Sequence, residues 1–269
     1  MKTAILGAIL LVPAAMACDE PSSGNQAAPQ AAATAAPAPT PTPAPTPSDT
    51  APPPPKFVKK SVADCKPHPA EIDFGGDAVL EKEVRRKLSK DTGPITPADL
   101  ATIKSLNLSS QSVHQIDPCI FPMFTGIKDL FLGSGDYDDL TPITKLTTIQ
   151  SLRAALSNVK NLHPIEGLKR MDRLDLSHTL VEDEDLKSIA NLVNLTELML
   201  DEDAITDLTP IGNMKKLERL SIKKTRVQNL APVAGIKTLK FLYIHESAVT
   251  DISPVSPLIS GGMKLVQNE

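Results

Sequence analysis

The chain has 269 residues, and its 28 lysines and arginines are outnumbered by 32 aspartates and glutamates, which gives a formal net charge of −4 at pH 7. A chain without a basic excess lacks the electrostatic footprint of a nucleic-acid-binding protein, so we expect no nucleic-acid partner. Tryptophan is absent and aromatic residues make up 3% of the chain. We therefore expect a core of stacked aliphatic side chains instead of a few large aromatic anchors.

Residues 1–17 have the pattern of a secretory signal peptide. A positive start at Lys2 is followed by an apolar stretch, and small residues precede Cys18. The stretch is too short to cross roughly 30 Å of hydrocarbon as a stable helix. Its end resembles a bacterial lipobox, which implies that Cys18 is acylated and anchors the mature chain to a membrane. Cleavage without lipid is the alternative, because Ala15 stands where lipoboxes usually have leucine.

Residues 18–56 are predicted to contain the lipidated cysteine and a segment that does not fold. From Asp19 to Lys56 the chain contains 12 of the 25 prolines and no large apolar side chain. This composition favours extended polyproline II conformation, so the segment reaches at most roughly 120 Å. It is either a stalk that holds the folded domain away from the membrane or a spacer of no selected length.

Three cysteines are present, and with Cys18 assigned to lipid, Cys65 and Cys119 remain as a pair. Disulfides persist outside the cytoplasm, so we expect this pair to be bonded. Cys65 and His68 have the outline of half a metal site, but no second cluster of matching spacing follows. We therefore predict no metal.

A repeat of 22 residues occupies the rest of the chain. The pattern Leu-x-x-Leu-x-Leu begins at Leu195 and returns, with isoleucine for the last leucine, at Leu217 and Leu239. Related patterns extend backwards to Ile103 with two 24-residue intervals, so residues 103–258 contain seven units. The alternating apolar residues predict one short strand per unit. A unit this small cannot bury its apolar side alone, so the units are predicted to stack as a solenoid.

The second half of each unit predicts a short helix or 3₁₀ segment. A proline recurs there, and Asp117, Thr141, Thr209 and Ser253 directly precede it. Short polar residues before proline are typical of helix N-caps, because the fixed φ of proline suits the first helical position. We expect these four residues to act as N-caps.

The seven units resemble the leucine-rich repeat family, in the short form found in internalin-like bacterial proteins. The resemblance implies an α/β fold, a right-handed curved solenoid of parallel strands and short helices. Residues 57–102 resemble the α-helical N-terminal cap of internalin-like domains, with Leu80, Val84 and Leu88 as the apolar stripe that would cover the first repeat. The expected disulfide would then join this cap to the first repeat.

Residues 259–269 are predicted to be a C-terminal tail whose apolar residues could cover the last repeat. One position inside the repeats departs from the family pattern, because the asparagine that often stands eight residues into each unit is missing. The residues found there are Gln111, Gly135, Ser157, Thr179, Asp203, Thr225 and Ser247. We expect the hydroxyl and carboxylate side chains among them to bond backbone groups at this bend.

In this family, the outward-facing residues of the strands form a concave sheet. On this face the residues that we predict to contact a partner are Phe131, Arg153, Met199, Arg219, Lys223, Phe241, Tyr243 and His245. Aromatic, apolar and arginine side chains together are typical of recognition surfaces.

Two alternatives for this face stay open. Opposite charges in neighbouring units could pair across strands and leave only a solvated surface. The candidate pairs lie in two series, Arg173–Glu197–Arg219 and Glu202–Lys224–Glu246. The C-terminal tail could instead fold back over Phe241 and Tyr243.

We predict no catalytic site and no cofactor. Gly133-Ser134-Gly135 lacks the flanking elements and the lysine of a nucleophile elbow or a phosphate loop. We predict a non-enzymatic protein of the bacterial cell envelope, lipid-anchored and either periplasmic or surface-exposed, whose preorganised concave sheet binds a protein or a glycan. The alternative is a structural or self-assembling envelope protein that uses the solenoid as a spacer.

Overall fold

The computed structural model describes residues 59–66 and 69–268, and the predicted signal peptide, Cys18 and the proline-rich segment lie outside these residues. Eight parallel strands form one sheet in chain order. The strands are β1 (Ser105–Asn107), β2 (Asp129–Phe131), β3 (Ser151–Arg153), β4 (Arg173–Asp175), β5 (Glu197–Met199), β6 (Arg219–Ser221), β7 (Phe241–Tyr243) and β8 (Lys264–Val266). The α-helices are α1 (Ala78–Leu88), α2 (Pro97–Thr102), α3 (Asp183–Ile189) and α4 (Ser256–Ser260).

The central residue of every strand is a leucine, and these leucines pair with one another along the sheet. In chain order they are Leu106, Leu130, Leu152, Leu174, Leu198, Leu220, Leu242 and Leu265. The first seven are at most 1% exposed. Burying one leucine contributes about 1.5–3 kcal/mol, and much of the cover comes from the units on either side. The predicted solenoid of parallel strands is confirmed.

Short helical segments carry the chain back from one strand to the next. The 3₁₀ segments of the repeats are Phe121–Met123, Thr141–Ile143, His163–Ile165, Thr209–Ile211, Ala231–Val233 and Ser253–Val255. In the longer unit that begins at Met171, α3 takes this place. The prediction of a short helix or 3₁₀ segment in each unit is therefore confirmed.

All four predicted N-caps are wrong. Asp117 lies three residues before Ile120, which is the N-cap of its segment. Thr141, Thr209 and Ser253 are themselves the first residues of their 3₁₀ segments. Their N–H groups donate to an aspartate two residues earlier, in the pairs Thr141–Asp139 (2.7 Å), Thr209–Asp207 (2.8 Å) and Ser253–Asp251 (2.8 Å). Aspartate and asparagine favour this local bond, which mimics a backbone turn. In the sequence, the start of these segments is therefore marked by the aspartate or asparagine three residues before the proline.

The segment before the first strand packs on the solenoid through α1. This helix begins after Asp77, whose carboxylate accepts the N–H of Leu80 at 2.9 Å. Leu80 and Val84 are buried, and the partly buried Leu88 packs against the same core. The helix contacts β1, so the apolar stripe read from the sequence lies on its buried side.

Cys65 and Cys119 form the predicted disulfide across 54 residues of chain, with their Cα atoms 5.1 Å apart. Closing a loop of this length is worth about 4 kcal/mol in the chain-entropy model. Lys60 adds polar contacts on the same side, since its N–H donates to Gln115 Oε1 at 2.8 Å and its Nζ lies 2.7 Å from Asp117 Oδ2. The segment before α1 is thus tied to the first repeat.

The tail contributes a strand that the seven-unit prediction did not include. After α4, Gly262 takes a φ of 101° and the chain enters β8, which pairs with β7. Met263 is buried beneath this last layer. The tail therefore lies beside Phe241 and Tyr243 as a neighbouring strand, and the Lys264 ammonium lies over the Phe241 ring.

Gly133 and Gly135 allow the first two units to approach closely. A Cβ atom at Gly135 would collide with the backbone of Val113, and one at Gly133 would collide with the carbonyl of Gln111. The Gly-Ser-Gly motif is thus a packing feature of the solenoid.

Gly135→Ala should lower the free energy of unfolding by roughly 1–3 kcal/mol, because the added methyl group forces two backbones apart. Gly167→Ala is the matched control, since nothing lies within 4 Å of a Cβ atom there. Urea unfolding of both variants measures the difference. Equal losses in the two variants would contradict the close approach.

Candidate functional site

The residues on either side of each central leucine form the exposed face of the sheet. Phe131, Arg153, Met199 and Tyr243 occupy the third position of their strands, and Arg219 and Phe241 occupy the first. Lys223 and His245 lie in the turns that follow β6 and β7. Six of the eight predicted contact residues are therefore held by the strand ladder, and all eight are at least partly exposed.

Four side chains meet at the C-terminal end of this face. The rings of Phe241 and Tyr243 stack with their centroids 6.4 Å apart and their planes 15° from parallel. The Arg219 guanidinium carbon lies 4.9 Å from the Phe241 centroid, and Lys264 Nζ lies 5.7 Å from it. We call Arg219, Phe241, Tyr243 and Lys264 the aromatic cluster.

Arg219 is held in place from two sides. Its Nη1 donates to the Tyr243 hydroxyl at 3.0 Å, and its Nε lies 3.3 Å from Glu197 Oε1. The guanidinium also lies over both rings, at 5.8 Å from the Tyr243 centroid. A cation over an exposed ring contributes about 0.5–1 kcal/mol. The cluster is thus a pair of stacked aromatic rings with two cations against them, already ordered without a partner.

Lys223 and His245 extend this region beyond the ends of the strands. Lys223 Nζ lies 3.2 Å from Asp201 Oδ2, and Asp201 also accepts the Ser221 hydroxyl at 2.6 Å. His245 Nε2 lies 2.8 Å from Glu246 Oε1. Lys223 therefore forms an ion pair, and His245 contacts a carboxylate, at the border of the aromatic cluster.

The structure separates Phe131 and Arg153 from the aromatic cluster. They are neighbours across β2 and β3, and Arg153 Nε lies 3.2 Å from Asp175 Oδ2. Phe131 is five strands from Tyr243, which is about 24 Å at 4.8 Å per strand. Met199 lies between the two groups. A small ligand cannot contact both ends of this row, whereas a macromolecule can.

The predicted charge pairing across strands is confirmed in part. Two of the pairs form, Arg219–Glu197 at 3.3 Å and Lys224–Glu202 at 3.0 Å. The Lys224 ammonium, followed by His178, holds the pKa of Glu202 below its usual range. Arg173 instead lies 3.6 Å from Asp172, the residue before it in the chain. Pairing accounts for the charged residues of the face but not for the stacked rings.

Behind the exposed face, the prediction that the polar residues eight positions into each unit bond the bend is confirmed in part, since the Ser247 hydroxyl is buried without a hydrogen-bond partner. The hydroxyl of Ser157 donates to the Ala154 carbonyl at 2.8 Å, and Thr225 makes the same bond to Ile222 at 2.8 Å. These bonds satisfy carbonyl groups that the strand ladder leaves unpaired.

Asp203 stands out in this interior row. It is 3% exposed, its Oδ1 accepts the N–H and the hydroxyl of Thr179 at 2.8 and 2.9 Å, and its Oδ2 has no hydrogen-bond partner. Burial raises the pKa of Asp203 to about 7, the Thr179 bonds oppose this, and the negative charges of Asp201 and Asp175 add to it. A carboxyl group with these surroundings ionises only at a cost to stability.

Within the described residues, no three histidine, cysteine, aspartate or glutamate side chains are arranged to hold a metal ion. Likewise, no helix in this part of the chain is long and apolar enough to cross a bilayer.

No protein-family model matches the chain, and no curated protein matches it in sequence. Among the solved structures that are similar to it are two internalins and one other leucine-rich repeat protein. Internalin C2 of Listeria monocytogenes has a TM-score of 0.63 and 26% identity, over 71% of this chain and 93% of that one. The internalin InlF of the same organism has a TM-score of 0.59 and 21% identity, over 72% and 63% of the two chains. A leucine-rich repeat protein of Leptospira interrogans has a TM-score of 0.51 and 18% identity, over 64% and 51%.

The predicted fold class is confirmed by these likenesses together with the eight-stranded parallel sheet: the chain has a leucine-rich repeat solenoid of the internalin-like kind. Its match spans nearly all of internalin C2 but less than two thirds of the other two chains.

Asp203→Asn should remove a pH dependence of stability. The folded pKa of about 7 lies above the reference value of 3.8, so stability is full below about pH 4 and falls as pH rises to about 7. The variant should therefore match the native protein near pH 4 and exceed its free energy of unfolding by up to about 4 kcal/mol near pH 8. Urea unfolding across this range measures the gap.

The matched control is Asp207→Asn, because Asp207 is exposed and asparagine preserves the acceptor for the Thr209 N–H. An equal gain in the control near pH 8 would contradict the assignment to Asp203.

Proposed function

We propose that the protein is a non-enzymatic leucine-rich repeat protein of the bacterial cell envelope that binds a protein partner on its concave sheet. The internalin-like solenoid supports a role as a protein-interaction scaffold, since its structural neighbours are internalins and a leucine-rich repeat protein. Fold likeness alone does not identify a target, so the proposal depends on the exposed side chains.

The aromatic cluster is the observation that carries this proposal. Large aromatic and arginine side chains dominate the binding energy of protein interfaces, and they tend to group near the centre of the contact. Phe241 and Tyr243 are held against each other, and Arg219 is fixed by the Tyr243 hydroxyl and by Glu197. Ordering a free side chain on binding costs about 0.5–1.5 kcal/mol, and this arrangement avoids much of that cost.

The distance that the predicted contact residues span along the sheet favours a macromolecular ligand. Phe131 and Arg153 lie at the far end of the same face, and the charged pairs between them and the cluster form a polar surround. This layout matches an apolar contact centre with a polar rim. A glycan is the alternative ligand, and it would be distinguished by survival of binding after the envelope extract is treated with protease.

Phe241→Ala combined with Tyr243→Ala should weaken partner binding at least tenfold, because each residue lost from a contact centre costs about 2 kcal/mol or more. Cross-linked capture from an envelope extract, read by quantitative mass spectrometry, identifies proteins retained by the native chain and lost by the variant. Titration of the captured partner then gives the two affinities.

The control for this experiment is Val62→Ala combined with Leu180→Ala, two apolar residues that are 71% and 53% exposed outside the cluster. Captured proteins should be the same as for the native chain, and urea unfolding should show that both double variants are folded. If loss of the two rings left capture unchanged, the aromatic cluster would not be the contact centre.

We also propose that the domain is attached to a membrane through a lipid on Cys18, with the proline-rich residues 19–56 as the tether. The support is the sequence pattern, since a positive start, a short apolar stretch and small residues precede this cysteine. The disulfide between the other two cysteines fits the same export route, because disulfides persist outside the cytoplasm.

Metabolic labelling with palmitate should mark the native chain and should be lost in Cys18→Ser. The matched control replaces the other two cysteines together, Cys65→Ser with Cys119→Ser, and it should keep the label because neither sulfur is free in the folded protein. Equal labelling of the native chain and of Cys18→Ser would contradict the proposed lipid on Cys18.

A further inference from the structure

One edge of the solenoid carries a row of cations that the concave face does not use. They stand just before the strands, either at the end of one unit or at the second residue of the next. We call this set the basic edge: Lys104, Lys128, Lys145, Lys169, Arg170, Lys215, Lys216, Lys237 and Lys240, all of them exposed.

Hydrogen bonds between units show that these residues follow one another along the edge. The N–H of Lys128 donates to the Lys104 carbonyl at 2.8 Å. Further along, Asn194 Nδ2 donates to the Lys169 carbonyl at 2.8 Å, and Lys216 Nζ donates to Asn194 Oδ1 at 2.7 Å. The Thr238 hydroxyl continues the series to the Lys215 carbonyl at 2.9 Å. The row therefore advances by one unit per strand, about 4.8 Å at a time.

Few carboxylates neutralise this edge. Glu166, Asp172 and Glu218 stand in the same stretches of the chain, and only Glu218 pairs with a basic-edge cation, at 2.7 Å from Lys240 Nζ. Glu166 and Asp172 lie beside His163 and Arg173 instead. Eight of the nine cations thus form no ion pair with any residue that the structure describes. This positive charge is concentrated on a chain whose net charge is −4.

An apolar residue interrupts the row at its centre. Val193 is 49% exposed, and it stands next to Asn194, whose side chain bonds both Lys169 and Lys216. An exposed aliphatic side chain flanked by cations is poorly suited to water but well suited to the headgroup region of a bilayer, where apolar contact and attraction to anionic lipid act together.

We propose that the basic edge is a docking surface for the anionic phospholipid headgroups of a bilayer, on which the solenoid lies on its side. The cations extend over seven units, roughly 29 Å from the first strand to the seventh, and they form a line instead of converging on a pocket. An extended line of charge with an apolar centre fits a broad anionic surface better than a single small anion.

This docking leaves the concave sheet open. The edge lies before the strands, whereas the aromatic cluster projects from their exposed face, so the two surfaces point in different directions. A basic contact with the membrane adds to the attachment that the proposed lipid on Cys18 would give. The proposal stands on the edge residues alone and does not depend on the partner of the concave face.

The test uses the chain from residue 18 with Cys18→Ser, so that neither a signal peptide nor a lipid contributes to binding. It is sedimented with vesicles of phosphatidylglycerol and phosphatidylcholine in a one-to-two ratio, and with vesicles of phosphatidylcholine alone. We expect binding only to the anionic vesicles, and weaker binding as salt rises, because salt screens exposed charges. No binding to the anionic vesicles overturns the proposal.

The edge variant is Lys169→Glu, Arg170→Glu and Lys237→Glu, and it should bind the anionic vesicles at least tenfold more weakly. The control variant places the same charge change elsewhere on exposed residues, as Lys82→Glu, Lys160→Glu and Arg226→Glu. It should bind at least threefold better than the edge variant. Equal losses in both variants would show an effect of net charge alone and would overturn the docking surface.

A further variant, Val193→Asn, separates a bilayer from other polyanions. It should weaken binding to the anionic vesicles severalfold and leave the salt dependence unchanged, because it removes apolar contact without removing charge. The assignment to a bilayer would be overturned by two results together: soluble polyphosphate binds the native chain as tightly as the vesicles do, and Val193→Asn has no effect on vesicle binding.

The double variant Phe241→Ala with Tyr243→Ala should bind vesicles as the native chain does. This control keeps the vesicle test separate from the test of the concave face.

Discussion

The structure depends on one constraint, which is that a single repeat cannot bury its own aliphatic side. Leu198 is covered because Leu174 and Leu220 pair with it from the strands on either side. Stability in such an array is close to a sum of contacts between nearest neighbours, and the two ends therefore need separate cover. Here α1 packs on β1, and β8 with the buried Met263 completes the other end.

Because the units stack in register, the same position in every unit falls in the same row. Each row therefore has its own kind of side chain and its own place on the solenoid. The strand positions that flank the central leucine supply the exposed face, the residues just before the strands supply the basic edge, and the position eight residues into each unit supplies the interior polar row. Asp203 is the one member of the described interior row whose ionisation costs stability, since its neighbours Thr179 and Thr225 bond the backbone without carrying a charge.

The strands and their central leucines could be predicted from the periodicity, because apolar residues at a fixed interval are buried together when the units stack in register. The cysteine pair could also be predicted, since only two cysteines remained. The side-chain arrangement of the cluster could not, because the two bonds of Arg219 depend on rotamers and not on spacing. Lys264 was missed for another reason: the tail repeats only one short strand, too little to register as a unit.

The C-terminal tail has two structural roles, and the sequence pattern predicts neither of them in detail. As β8 it satisfies the open edge of β7, which would otherwise be a template for pairing with other chains. The same pairing brings Lys264 opposite Phe241, so the strand that closes the sheet also completes the aromatic cluster. A strand that is paired on both sides moves less than an edge strand. The hydrogen bonds between β7 and β8 therefore order the aromatic cluster as well as end the solenoid.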